Sequence, residues 1–174
     1  DNVINEQDKV LLGSSRPDYF GSVFSTLRFG KLSLSAQVNY SIGGKIYNAV
    51  RRQLESMENF HNQSTAVLNR WQMEGQNTTM PRAVYGDPNG NNIFSDRWLE
   101  DATYAKLGSL TLNYAIDWPK ADFIRSGNVW ISGESLLTLS SYLGNDPELS
   151  YSYNDFLYGI DYAKVPNPRS IKIG

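Results

Sequence analysis

The segment Leu32–Ile42, LSLSAQVNYSI, constrains the fold more than any other part of the chain. Leu32, Leu34, Ala36, Val38, Tyr40 and Ile42 alternate without a break with Ser33, Ser35, Gln37, Asn39 and Ser41. Successive side chains of a strand point to opposite faces, so this strand has one apolar face and one of small uncharged polar groups. At about 3.4 Å per residue it extends roughly 34 Å, and a tilt of about 45° reduces its height to about 24 Å. That is the height of the apolar band, ~25 Å, of a strand that crosses a bilayer. A half-buried strand of a soluble sheet also alternates, so one segment leaves both readings open.

Four more segments favour the membrane reading. Ser22–Phe29 sets Val23, Leu27 and Phe29 against Thr26 and Arg28, and joins the first strand through Gly30-Lys31, a two-residue hairpin loop. Tyr104–Ile116 sets Tyr104, Leu110, Leu112, Tyr114 and Ile116 against Ala105, Ser109, Thr111, Asn113 and Ala115. Lys106 breaks that apolar row near one end, where its stem is expected to snorkel. Val129–Leu139 sets Val129, Ile131, Gly133, Leu137 and Leu139 against Ser132, Glu134, Leu136 and Thr138, and a last strand is expected over 169–174. The predicted architecture is all-β: an antiparallel meander with strands near 22–29, 32–42, 104–116, 129–139 and 169–174.

The connections alternate strictly in length. Gly30-Lys31 and the Asp117–Asn128 turn, with Pro119, are short, whereas 43–103 and 140–167 are long. Compact soluble domains rarely carry loops of that size, and outer-membrane barrels have short periplasmic turns and long external loops. Aromatics gather near both strand ends: Phe29, Trp118, Phe123 and Trp130 on one side, Tyr40, Tyr47, Tyr104 and Tyr142 on the other. Two such girdles suit two membrane interfaces. Inside the first long loop, Ala49–Asn59 is predicted to form a helical turn or two, with Arg52 and Glu55 spaced to pair.

A net charge of −2 offers no basic face for nucleic acid. The absence of cysteine excludes disulfides and thiolate metal sites. No apolar run approaches the ~18 residues of a membrane helix, which says nothing against a barrel. The chain shows no initiator Met or signal peptide and is expected to be a piece of something longer.

Chemistry is hard to assemble from these residues. His61 is the only histidine and sits among polar loop residues, without a partner for a metal or nucleophile site. Carboxylates cluster at Asp96, Glu100 and Asp101 and at Asp146 and Glu148; pairs of this kind serve glycosidases, but these adjoin turns. Asp87-Pro-Asn-Gly resembles the start of a calcium loop, yet Asn92 and Trp98 replace the glycine and glutamate such a loop needs. Asn-x-Ser/Thr triplets at Asn62 and Asn77 matter only in a secretory pathway. Exposed aromatics can stack on a sugar ring or a peptide side chain, and Trp71, Trp98, Tyr151, Tyr153 and Tyr158 are the candidates for substrate contact; packing within the loops is the plainer reading.

Collinear motifs along almost the whole chain carry a resemblance. GGKIYNAVRR (Gly43–Arg52), NRWQMEGQNTTMPR (Asn69–Arg82), SDRWLEDATYAKLGSLTLNYAI (Ser95–Ile116) and VWISGESLLTLSSYLGNDPE (Val129–Glu148) resemble, in order, segments of SusC-like TonB-dependent outer-membrane transporters. DNVINEQDKVLLGSSRPDYFGS fits the segment before their strand, and VPNPRSIKIG fits their last strand. Ser135 departs from the family's usual asparagine, and the chain stops at Gly174 where the family ends in an aromatic residue.

The resemblance implies the C-terminal strands and outer loops of a barrel of about 22 strands. It implies import of oligosaccharides or peptides across the bacterial outer membrane, with no enzymatic step, no cofactor and no metal. The implied partners are a SusD-like lipoprotein lid, the TonB system reached through a missing N-terminal part, the remainder of the barrel, and the lipid bilayer. A soluble β-rich carbohydrate- or protein-binding module is the alternative, and a glycoside hydrolase fragment ranks last. Exposure of the Leu32/Leu34/Val38 face separates them, because a soluble module must bury it.

Overall fold

The computed structural model describes residues 6–118, 123, 125–148 and 157–174. In chain order the elements are β1 (Tyr19–Phe29), β2 (Leu32–Ile42), β3 (Lys45–Asn48), α1 (Ala49–Leu54), β4 (Leu99–Asp101), β5 (Tyr104–Asp117), β6 (Ser126–Ser140), β7 (Ile160–Asp161) and β8 (Ser170–Ile173). Short 3₁₀ turns cover Glu6–Asp8, Thr65–Asn69 and Asp96–Trp98. Five strands build one antiparallel meander in the order β1-β2-β5-β6-β8, here called the wall. A smaller sheet, β4-β3-β7, lies in the long loops, here called the cap.

The β1–β2 hairpin closes with Phe29 opposite Leu32, and Gly30 takes the positive φ, 60°, that its tight loop requires. Val23 faces Val38 and Leu27 faces Leu34, so the apolar rows of the two strands share one face. Hydroxyls pair across the other: Thr26 Oγ1 with Ser35 Oγ at 2.9 Å, and Thr111 Oγ1 with Ser132 Oγ at 2.7 Å. β1 starts three residues before the expected strand and takes in Gly21, which lies opposite Tyr40 with the Tyr40 ring close over it. β6 likewise extends from Ser126 to Ser140.

Burial in β2 is inverted relative to a soluble sheet, while the edge strand β1 is exposed on both faces, with Phe20 and Phe24 on its polar side. Leu32, Leu34, Val38 and Ile42 are exposed, while Ser33, Ser35, Gln37 and Asn39 are half-buried and Ser41 is buried. Val23, Leu27, Phe29, Leu112, Tyr114, Val129, Ile131, Leu137, Leu139, Ile171 and Ile173 extend the exposed apolar face. A soluble binding module would hide those side chains in a core.

One expectation for β5 is corrected by a bulge. The register between β2 and β5 shifts between Gln37 and Val38, so Ser109 pairs with Gln37 while Leu107 pairs with Val38. The residue left over is Gly108, where a side chain would press on the Asn39 amide. An extra residue reverses the alternation beyond it. Leu107 and Ala105 therefore join the apolar face, and Tyr104 and Lys106 turn to the polar one. Lys106 does not snorkel toward the apolar side; it is 3% exposed and ion-paired on the polar side.

The described hydrophobic core is in the cap. Tyr47, Ala49 and Trp98 pack with Leu99 and Ile160, and Met57, Val67 and Met80 pack with Ala66. Tyr47 and Tyr142, expected in an interfacial girdle, are buried here instead, because both loops fold back over them. α1 is capped by Asn48, whose Oδ1 accepts from the Arg51 backbone N–H at 2.9 Å. Glu55 pairs with Arg51, at i−4, at 3.0 Å rather than with Arg52, because the Arg52 Nε donates to the Asn92 carbonyl instead. Pro119, expected in the second short turn, lies outside the described residues.

Candidate functional site

The two long loops meet each other and the polar face of the wall at one junction. β3 pairs with β4 antiparallel and with β7 in parallel, joining residues 45–48 of the first loop to 160–161 of the second. The Glu100 carboxylate ties three segments together: Oε1 accepts from Arg51 at 2.9 Å and Asn48 at 3.2 Å, and Oε2 from the Leu143 backbone N–H at 2.8 Å. The Tyr142 hydroxyl donates to Asp161 Oδ2 at 2.6 Å, and Oδ1 of the same carboxylate accepts from the Ala163 N–H. Burial, helped by that hydrogen bond and by the Asp161 charge, pushes the Tyr142 phenol well above its ordinary pKa.

The junction is fastened to the wall through Lys106. Its Nζ lies 2.6 Å from Glu148 Oε2 and 3.3 Å from Asp146 Oδ2, both from the second loop, and Asp146 is itself buried. One ammonium against two carboxylates leaves one net negative charge. Beside this triad a cleft of about 100 Å³ opens between wall and cap, with Ser15, Ser41, Tyr104, Tyr158 and Glu148 in its lining. Ser41 and Tyr104 are register partners on the polar face. A second cavity of about 240 Å³, with Asn48, Leu54, Ser64 and Gly144 among its lining, lies between the loops.

The five sequence candidates separate. Tyr158 is 44% exposed and lines the cleft, and Trp71 is half-buried beside Met80, whose carbonyl accepts its backbone N–H. Trp98 is 0% exposed, at the centre of the cap core, with the Arg97 and Arg51 guanidinium groups 4.3 and 5.6 Å from its ring. It packs and offers no surface to a solute. Tyr151 and Tyr153 lie outside the described residues.

The remaining chemistry resolves into structure. Asp87 spends its carboxylate on the backbone N–H groups of Asn91 and Asn92, both at 2.8 Å, which is turn chemistry. Among the described residues no group of acidic or histidine side chains is arranged to hold a metal. Asp101 accepts from the Thr103 hydroxyl and N–H, which holds its carboxyl below the ordinary range. His61 is exposed. The lining residues Ser41 and Tyr104 escaped sequence reasoning, because their common face depends on the bulge. Gly108 inside a strand was the available signal.

No protein-family model matches the chain. TonB-dependent receptor P3 of Formosa agariphila is 26% identical over 180 residues, taking in 98% of this chain and 17% of that receptor. TonB-dependent receptor P26 of the same organism is 27% identical over 180 residues, taking in 100% of this chain and 18% of the receptor. The chain thus spans less than a fifth of these curated relatives. Among solved structures, the RagAB peptide importer in its closed-closed state superposes with a TM-score of 0.78 at 23% identity, over 94% of this chain and 17% of that one. Its open-open state gives 0.75 at 22% identity, over 98% and 19%.

Proposed function

We propose a function for this chain from one premise: it is a segment of a TonB-dependent receptor of the SusC-like kind, related to such receptors along its whole length. In our reading it supplies C-terminal strands and two external loops to an outer-membrane barrel of about 22 strands. The apolar rows of the wall face lipid, and the polar rows, with Ser33, Gln37, Asn39, Asn113 and Glu134, face the lumen. The whole protein imports oligosaccharides or peptides by binding and gated translocation, without covalent chemistry. It draws energy from the TonB system through a part other than this chain and works beneath a SusD-like surface lipoprotein. RagAB, which shares the fold, is a peptide importer, and that favours peptides over glycans as the cargo.

The observation that carries this reading is the inverted burial of β2, with leucines and valine outward and serines and amides covered. Five strands with two unpaired edges do not close a barrel, so neighbouring strands complete the wall. Of the proposed substrate aromatics, Tyr158 and Trp71 retain accessible surface, Trp98 is enclosed in the cap core, and Tyr151 and Tyr153 remain candidates from sequence. The test is sidedness in the full-length protein on intact cells. A cysteine at Phe60, 94% exposed in the cap, should react with an impermeant maleimide. One at Lys31, in the short β1–β2 turn, should react only after the outer membrane is opened. The reverse pattern would sink the topology. Loss of growth on peptides, but not on free amino acids, when the receptor is deleted would support import.

A further inference from the structure

The cleft at the foot of the cap lies beside the Lys106 triad that fastens the second loop to the wall. Ser41 is only 9% exposed and lines the cleft, and its hydroxyl is not among the enclosed side-chain atoms that lack a partner, so the group is open to whatever fills the cleft. A hydroxyl at the wall of a cleft takes its hydrogen bond from water or from a polar solute that enters. Tyr104 and Tyr158 add two aromatic side chains, each with a hydroxyl, to the same lining.

Glu148 gives the site its charge. Its Oε2 is engaged by Lys106 at 2.6 Å, and its own backbone N–H donates to Asp146 Oδ1 at 3.1 Å. Asp146 has both oxygens engaged, Oδ1 by that N–H and Oδ2 by Lys106. Among the described residues, Glu148 Oε1 is the carboxylate oxygen of the triad without a hydrogen bond, and the triad carries one net negative charge.

We infer that this cleft is a subsite for a primary ammonium group of the transported cargo, which Glu148 receives as counter-ion and the Ser41 and Tyr158 hydroxyls complete as hydrogen-bond acceptors. The proposal rests on the importer reading, since it places the cargo on the polar side of the wall. An ammonium has three donors and no acceptor, and a carboxylate with two hydroxyls supplies three acceptors. A cavity of about 100 Å³ takes an ammonium with a short alkyl stem. Each tyrosine ring face adds attraction for a cation. An anion would meet the uncompensated carboxylate, and a neutral hydroxyl would leave its charge unpaired. Lys106 is the fixed internal cation that keeps two carboxylates together here, and the cargo's ammonium acts as the second, exchangeable one.

The test uses purified full-length receptor in detergent and saturation-transfer NMR, with n-butylammonium and n-butanol as matched probes. Binding is read directly, so a negative result counts against the subsite and leaves the importer reading to the cell-based test above. Butylammonium should give at least about tenfold stronger transfer than butanol, as a charge-assisted contact requires. Glu148→Gln should remove the difference, and Tyr158→Phe, which leaves the Lys106 triad intact, should weaken butylammonium several-fold. Asp117→Asn, at the far end of the wall, should change nothing. Trialanine and glucosamine then distinguish a peptide amine from an amino sugar, and competition by either with butylammonium supports the assignment. Equal transfer from amine and alcohol, an unchanged preference in both Glu148→Gln and Tyr158→Phe, or competition by neither cargo amine would overturn it.

Discussion

Wall and cap are made of the same chain but obey opposite rules. In the wall the apolar rows point outward, and no wall residue belongs to the described hydrophobic core. In the cap the core residues Tyr47, Ala49, Trp98, Met57, Val67 and Met80 are enclosed as in a small water-folded domain. The difference shows what each region needs from outside. The wall is held by its backbone ladders and hydroxyl pairs, and under the proposed function lipid finishes its apolar side chains. The cap is finished by itself, through two apolar clusters and a lattice of carboxylate contacts at Glu100 and Asp161.

Substitutions that exchange the two rules should have the largest effect. Trp98→Ala in the full-length protein removes the fully buried indole and should destabilise the cap by about 3–5 kcal/mol. Hydrogen exchange should rise across 45–101 and 160–161 while the wall amides stay protected. If the wall loosened equally, the two regions would be one cooperative unit and the comparison would fail.

The wall's own test is Val38→Arg against Gln37→Arg, neighbours on opposite faces near the middle of β2. Arginine on a lipid face near the midplane costs about 2–4 kcal/mol, whereas a lumen-facing position tolerates charge. The yield of folded, heat-modifiable receptor in outer membranes should fall for Val38→Arg and hold for Gln37→Arg. Equal yields would mean that the apolar face does not meet lipid.

Tyr142→Phe probes the seam between the loops. It strips one partner from the buried Asp161, so the second loop should detach more readily by about 1–3 kcal/mol, seen as faster limited proteolysis within 140–167. Its pH dependence has a definite sign. The folded phenol is raised above its unfolded pKa of about 10, so its contribution is complete below that pH and is lost as pH rises beyond it. The wild-type cap should therefore loosen more than the variant in strongly alkaline buffer. A variant that loosened just as much would remove Tyr142 from the seam.

The smallest effect concerns Ser135, which adopts φ 52° where β5 and β6 fall out of register. A non-glycine residue in the left-handed region is strained, and asparagine tolerates it best. Ser135→Asn should stabilise the wall by up to about 1 kcal/mol, and Ser135→Val should destabilise it, as judged by denaturant midpoints of the full-length protein. No difference between the two would place the strain elsewhere.

The candidate site was legible only in fragments. Tyr158, Lys106, Asp146 and Glu148 were visible as residues, but the cleft they share with Ser41 needs two events that no local pattern records. One is the Gly108 bulge, which turns Tyr104 and Lys106 to the polar face. The other is the return of the second loop onto the first, where Tyr47 and Asn48 pair with Ile160 and Asp161. Trp98 shows the same limit: an aromatic in a polar loop looks available to a solute until the chain closes around it.

The sequence by itself determined the β1–β2 hairpin of the wall, because side-chain direction in a strand repeats every second residue and two-residue loops fix register. Leu32–Ile42 therefore announced both its faces, and Gly30-Lys31 announced its partner. The tertiary structure alone decided the cap and its junction. There the deciding contacts join residues 40 or more positions apart, such as Lys106 with Asp146 and Arg51 with Glu100. Whether a lysine meets lipid or a carboxylate depends on one bulge and one returning loop, and those are settled by the competition among all the strands for partners rather than by any residue's neighbours in the chain.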